Sequence, residues 1–294
     1  MFLIASADNT VIQQVLDPAR LELPAAWLLP ALLGGLMVTV LGGWALYRVL
    51  RGFGPAEAEL DADSFVLGIP LSFGALMLPW ALHYLVRRDA VLSFPLEAGV
   101  LQVAVALGCL ALLRHNPWRR SRELRQPWWQ FRAAWLPRLL LAWVLAYPVL
   151  HAAMLASVAF ARLAGLPVEQ QEAITRLHER GDTAWVLGWY VSAVGGAPLW
   201  EEFVFRLVLF GGLRRLFRGN GQASPAWRSV LPALAVSVTL FVLAHGFWVV
   251  GFFPLAMLSL ILCGLYVHTR SIWPSVLFHA MHNALVLTLQ FYVM

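Results

Sequence analysis

The chain has 294 residues, of which 60% are hydrophobic and 13% are charged, and its formal net charge is +5. This charged share is about half that of a soluble domain, and apolar runs near 20 residues long recur, so an ordinary soluble protein is excluded. All 21 basic residues are arginines, clustered at the ends of apolar runs. That distribution favours a lipid bilayer and gives no reason to expect a nucleic-acid partner.

The hydropathy pattern predicts an all-α fold, a polytopic membrane bundle of about eight transmembrane helices. The predicted spans cover residues 25–50, 64–86, 91–113, 133–163, 183–217, 229–250, 252–268 and 272–293. Both cysteines, Cys109 and Cys263, lie inside these spans, so neither a disulfide framework nor a cysteine metal site is expected. The first residues carry no basic region before a short apolar stretch, and a cleaved signal peptide is not expected.

The fifth predicted span is too long for one crossing and contains the sequence Gly195-Gly196-Ala197-Pro198. Because proline removes a backbone donor and glycine favours a bend, we expect the helix to break here. The segment is then either one kinked span or a span followed by a re-entrant helix.

The distribution of arginines predicts which side of the membrane each loop occupies. With the N-terminus outside, loop arginines on the inside outnumber those on the outside by about two to one, as expected for cytoplasmic loops. The predicted orientation is therefore N-out and C-out. If the broken segment does not cross exactly once in this scheme, the orientation after it inverts.

Two segments are predicted to lie outside the bilayer core. Residues 115–132 mix arginines with tryptophan and phenylalanine. They indicate either an interfacial, lipid-facing stretch or an ordinary cytoplasmic loop with aromatic-belt residues. Residues 167–182 open with Pro167 and carry four acidic side chains, which predicts a short surface helix on the outer side.

Two adjacent carboxylates, Glu201 and Glu202, stand in the middle of an apolar stretch. An ionisable side chain at membrane depth costs roughly 2.5–3.5 kcal/mol, so packing alone does not explain them. Arg206 lies four residues after Glu202, on the same helical face, and is expected to pair with it. Glu201 points about 100° away and is left as the free carboxylate, suited to general acid and base chemistry.

Two later apolar stretches carry further polar groups at helical spacing. His245 follows Phe241 by one turn, and His279 and Asn283 also share a face. An imidazole and an amide donor converging on one point describe an oxyanion hole. In straight helices, however, His245 falls near the outer end and His279 near the inner end, so the two meet only if the helices tilt strongly or the predicted boundaries are off by several residues.

The remaining membrane-region histidines are expected to be structural or interfacial: His83, His151, His268 and His282.

The order Glu-Glu-x-x-x-Arg, Phe-x-x-x-His and His-x-x-x-Asn, each in its own apolar segment, resembles the CPBP family. This family includes the Rce1-type CAAX prenyl proteases and bacterial relatives linked to bacteriocin processing or self-immunity. The resemblance covers about residues 183–293. It divides the chain into N-terminal spans with an interfacial loop over residues 1–132 and a catalytic membrane core over residues 133–294.

The resemblance implies an intramembrane, glutamate-dependent endopeptidase acting on a membrane-associated peptide or protein, lipidated or not. The lack of a targeting signal, the use of arginine alone and the short loops indicate a bacterial inner membrane. Carried over to this sequence, Glu201 activates water with help from His245, and Glu202 and Arg206 support the site. His279 and Asn283 stabilise the oxyanion. No cofactor and no metal ion are expected.

Two alternatives remain open from the residues. Glutamate with two histidines is also a zinc ligand set, which would give a metal-dependent version of the same protease, although the His-Glu-x-x-His helix is absent. Buried Glu, Arg and His also mark ion pathways, so a non-proteolytic immunity or transporter-accessory protein is the second alternative.

Overall fold

The computed structural model describes residues 24–53, 62–87, 95–115, 127–169, 183–218, 226–246 and 248–293. Within these ranges the chain is helical and no residue forms a strand, which confirms the predicted all-α membrane bundle. The helices are α1 Ala25–Arg51, α2 Ala62–Arg87, α3 Pro95–Arg114, α4 Leu136–Leu163, α5 Thr183–Tyr190, α6 Ala197–Glu201, α7 Gly211–Arg218, α8 Ala226–Ala244, α9 Phe252–Thr269 and α10 Trp273–Val293.

Five helical stretches in the described residues are long and apolar enough to cross a membrane, not eight. They are Ala25–Arg51, Leu96–Arg114, Ala133–Leu163, Trp227–Ala244 and Val249–Thr269. The predicted spans 183–217 and 272–293 are not among them. The first combines several short helical elements and holds five charged side chains: Glu201, Glu202, Arg206, Arg214 and Arg215. In the predicted span 64–86, the described residues include a shorter apolar stretch, Ser64–Ala75, within helix α2.

The helix does not end at Gly195-Gly196-Ala197-Pro198, where a break is predicted, but changes there from π-helix to α-helix. Two stretches of wider π-helix, Val191–Gly196 and Glu202–Phe210, join α5, α6 and α7 into one continuous helical path. The backbone stays right-handed helical through Gly196 (φ −65°, ψ −58°). Pro198 is the second residue of α6, directly after the first π-helical stretch.

The second π-helical stretch lies at the centre of the main hydrophobic core. Phe203, Leu207 and Phe210 are fully buried there. The cluster around them draws on several other helices, through Leu110 and Leu113 of α3, Cys263 and Tyr266 of α9, and Val276 of α10. The helix that carries the two glutamates is therefore surrounded by packed side chains, as a site shielded from water requires.

Helix α3 crosses the first π-helical stretch at very close range. A Cβ on Gly99 would lie 2.6 Å from the backbone nitrogen of Ser192, so only glycine fits there. The same crossing holds a hydrogen bond in which the Ser192 hydroxyl donates to Gln102 Oε1 at 3.0 Å. This contact fixes the π-helical stretch against α3.

Gly99→Ala is expected to destabilise the protein by about 1–3 kcal/mol, because the added methyl group collides with backbone atoms. Thermal unfolding of the detergent-purified protein measures the effect. Gly108→Ala is the matched control on the same helix, since a Cβ there meets nothing within 4 Å. Equal melting temperatures for the two variants would contradict the close crossing.

The described part of the predicted interfacial segment packs against the protein. Trp128 is buried, and its carbonyl accepts a hydrogen bond from the backbone of Ile272 at 3.0 Å. The Trp273 indole donates to the Trp129 carbonyl at 2.9 Å. Trp128 is thus part of the core rather than lipid-facing. Residues 116–126 of this segment lie outside the described residues, as do residues 170–182 of the predicted surface helix and the N-terminal residues 1–23.

Candidate active site

Glu201 and Glu202 are adjacent in sequence but have different partners. Glu201 is the last residue of α6 and Glu202 the first of the following π-helical stretch. Glu202 is fully buried, whereas Glu201 is 7% exposed. Because consecutive helical residues point about 100° apart, each carboxylate meets a different set of neighbours.

Glu202 is held between a cation and a histidine. Its Oε2 lies 3.2 Å from Nε of the fully buried Arg206, which forms the ion pair predicted from the four-residue spacing. Its Oε1 lies 2.9 Å from Nδ1 of His279 on α10. Each oxygen of Glu202 thus has its own partner. These partners compensate the buried negative charge, because burying an unpaired carboxylate costs much free energy.

The partner of His279 determines which ring nitrogen carries its proton. A carboxylate only accepts hydrogen bonds, so Nδ1 of His279 donates to Glu202. In the neutral ring Nε2 then presents a lone pair. That Nε2 lies 3.8 Å from Oε2 of Glu201.

His245 reaches the same carboxylate from another helix. Its Nδ1 donates to the Phe241 carbonyl at 2.8 Å, and its Nε2 lies 3.9 Å from Oε2 of Glu201. Helix α8 ends at Ala244, not at residue 250 as predicted, and Gly246 takes a left-handed φ of +80° just after it. This early end lets His245 and His279 meet, although in straight spans they would lie at opposite ends.

Three polar atoms therefore converge: Glu201 Oε2 and the Nε2 atoms of His245 and His279. Glu201 Oε2 has no hydrogen-bond partner among the described residues. The separations of 3.8 and 3.9 Å are too long for direct hydrogen bonds. They suit a bridging water molecule, and a water placed there would face one carboxylate and two imidazoles.

Asn283 lies one turn after His279 on α10, and its amide is bonded elsewhere. Its Nδ2 donates to the Ala193 carbonyl at 2.8 Å, in the first π-helical stretch. This bond orients the amide and uses one of its two N–H groups. An oxyanion role for Asn283 stays a prediction, in which the second N–H of its amide would donate to the oxyanion.

Two features of the site were missed from the sequence. Ser259 of α9, fully buried, accepts a hydrogen bond from Nη2 of Arg206 at 3.2 Å. The Phe241 ring lies under the guanidinium group, with Cζ of Arg206 4.2 Å from its centroid. A single serine in an apolar helix carries no spacing signal, whereas Phe241 stood in the Phe-x-x-x-His motif but was not linked to Arg206.

Two other described histidines form ring contacts elsewhere in the bundle. His151 stacks on Tyr147 and His268 tilts against Tyr47. Within the described ranges, no group of three His, Cys, Asp or Glu side chains is placed to hold a metal ion. The carboxylate and the two imidazoles that converge at the candidate site can exchange protons, which is the chemistry that hydrolysis requires.

Together, the bundle and this cluster define a helical membrane protein with a buried glutamate–histidine site. Residues 183–285 match the family model for Type II CAAX prenyl endopeptidase Rce1-like proteins. The match confirms the CPBP/CAAX protease resemblance and supports a CAAX-type intramembrane endopeptidase in general terms. No curated protein and no solved structure matches the chain.

Proposed function

We propose that the protein is a glutamate-dependent intramembrane endopeptidase that hydrolyses a peptide bond in a membrane-associated peptide or protein. The observation that carries the proposal is the convergence of Glu201 Oε2 with the Nε2 atoms of His245 and His279, at 3.9 and 3.8 Å. A water molecule between them has acceptors for both of its protons.

In the proposed reaction, Glu201 takes a proton from the water while the water oxygen attacks the carbonyl carbon of the scissile peptide bond. The new C–O bond gives a tetrahedral intermediate with a negative oxygen. When the C–N bond breaks, the proton held by Glu201 goes to the leaving amine. Neither serine nor cysteine takes part, so no acyl-enzyme forms.

The histidines have distinct roles in this proposal. His245, whose Nδ1 donates to the Phe241 carbonyl, accepts a hydrogen bond from the water at Nε2 and so orients it. His279 and Asn283 stabilise the oxyanion. His279 does so after taking up a proton from solvent on Nε2 as the substrate binds, and it returns that proton to solvent when the products leave. The imidazolium charge formed there lies beside Glu202, whose Oε1 is 2.9 Å from Nδ1. Glu202 and Arg206 act through His279 and are positioning residues.

A cleavage assay tests the function. The detergent-purified protein is incubated with a fluorogenic library of lipid-anchored peptides, with and without a strong chelator. We expect cleavage that the chelator does not change and that Glu201→Gln strongly reduces. Cleavage lost on chelation and restored by zinc would support the metal-dependent alternative. Absence of cleavage by the folded wild type across the library would favour the immunity or accessory alternative.

The apolar helices and the family match support an integral membrane protein. We further infer that it lies in a bacterial inner membrane with both termini outside, the orientation that the arginine distribution favours. This orientation needs an even number of crossings, so one or all three of α2, the helical path from α5 to α7, and α10 must cross in addition to the five apolar stretches. Fusions of a periplasm-active reporter to each terminus test the orientation. Activity at only one terminus would refute it.

A further inference from the structure

We propose that Ser259 is a positioning residue of the candidate site, an inference that rests on the function proposed above. Its hydroxyl accepts a hydrogen bond from Nη2 of Arg206 at 3.2 Å, and both residues are fully buried. A hydroxyl in an apolar helix needs such a partner, since burying it unpaired costs free energy. The partner it has is the cation that holds Glu202.

The Ser259 contact selects one of two ways in which Arg206 can meet Glu202. Arginine and carboxylate groups readily form bidentate pairs, with two parallel N–H to oxygen bonds. Here only Nε faces Glu202, at 3.2 Å from Oε2, while Nη2 is turned toward Ser259 on another helix. The Phe241 ring, 4.2 Å below Cζ, limits tilting of the guanidinium plane.

This one-sided arrangement leaves Oε1 of Glu202 for His279. A bidentate Arg206 would occupy both carboxylate oxygens and compete for Oε1, which Nδ1 of His279 approaches to 2.9 Å. His279 would then lose the acceptor that keeps its proton on Nδ1 and its lone pair on Nε2, facing Glu201. Ser259 therefore acts on the site through Arg206, Glu202 and His279 in turn.

The test compares Ser259→Ala with wild type by ¹⁵N NMR of histidine-labelled protein, with the His279 signals assigned from their loss in His279→Gln. We expect wild type to show a single neutral tautomer protonated on Nδ1, and Ser259→Ala to show a mixture of tautomers. Ser259→Thr, which keeps the hydroxyl, is expected to restore the wild-type spectrum. Unchanged His279 signals in Ser259→Ala would overturn the inference.

Ser157→Ala is the matched control. Ser157 is also buried, and its hydroxyl also accepts a hydrogen bond at 3.2 Å, from the backbone nitrogen of Phe253 at the start of the same helix α9. It is expected to leave the His279 spectrum unchanged. A change as large as that in Ser259→Ala would show a general effect of losing a buried hydroxyl and would refute the specific role.

Cleavage kinetics give a second, separate readout. Ser259→Ala is expected to lower kcat by roughly tenfold with little change in KM, as for loss of a hydrogen bond to a charged group. A wild-type protein that cleaves no substrate would refute the proposed function. The histidine spectrum, which needs no turnover, would still decide the inference on Ser259.

Discussion

Replacing Glu201 by glutamine is expected to lower the rate of peptide cleavage by about 10²–10⁴-fold, the usual contribution of a general base. The amide has nearly the same shape as the carboxylate but cannot take a proton from water. Folding is expected to be preserved, because Glu201 Oε2 has no hydrogen-bond partner among the described residues that the change would leave unpaired. Initial rates on the cleaved library peptide, with melting temperatures of both proteins, measure the two effects.

Glu201→Asp separates chemistry from charge. It keeps the carboxylate but withdraws it from the two Nε2 atoms, so an intermediate rate is expected at an unchanged melting temperature. If Glu201→Gln cleaves as fast as wild type, Glu201 is not the base. If the variant instead melts far below wild type, the loss of activity cannot be assigned to chemistry.

How far the site could be predicted depends on whether its contacts lie within one helix or between helices. The pairing of Glu202 with Arg206 follows from a four-residue spacing and was found in the structure. The link from Glu202 to His279 spans 77 residues, and only the family resemblance placed both in one site. No spacing rule within a single helix could have predicted the contact between Glu202 and His279.

The predicted end of the helix that carries His245 was wrong, because a local termination signal outweighed hydropathy. Apolar residues continue from Phe247 to Val250, and this run led to a predicted helix that extends past His245. Glycine just after a helix is an ordinary termination signal, and Gly246 with its φ of +80° fulfils that role. This signal is present in the sequence, but the apolar run that follows it favours a longer helix.

The first π-helical stretch shows what the sequence could not provide. The pair Gly195-Gly196 before Pro198 favours a break, yet α3 and α10 bind the stretch and keep it helical. Gln102 contacts Ser192, and Asn283 binds the Ala193 carbonyl. These partners come from distant parts of the chain, so the pitch of this helix depends on the assembled bundle.

Removing the charge of Arg206 is expected to destabilise the protein more than any change at Glu201. Arg206→Met leaves the carboxylate of Glu202 buried without its cation, which costs about 3–5 kcal/mol. Both side chains are fully buried, so water cannot compensate the charge. Denaturant or thermal unfolding in a fixed detergent gives the difference in free energy, and cleavage is expected to fall with the loss of a correctly held His279.

The double variant Glu202→Gln with Arg206→Met tests the cause. It removes both charges but keeps an amide oxygen for Nδ1 of His279, so it is expected to be more stable than Arg206→Met alone, although it carries one more substitution. Such non-additivity is typical of residues in direct contact. If the losses of stability in Glu202→Gln and in Arg206→Met simply add in the double variant, the ion pair is not the source of the loss. The packing of Arg206 on Phe241 and Ser259 must then account for it. Partial recovery of stability without recovery of cleavage would separate two roles of the Glu202–Arg206 pair. Neutralising the buried charge stabilises the fold, whereas orienting His279 serves the chemistry.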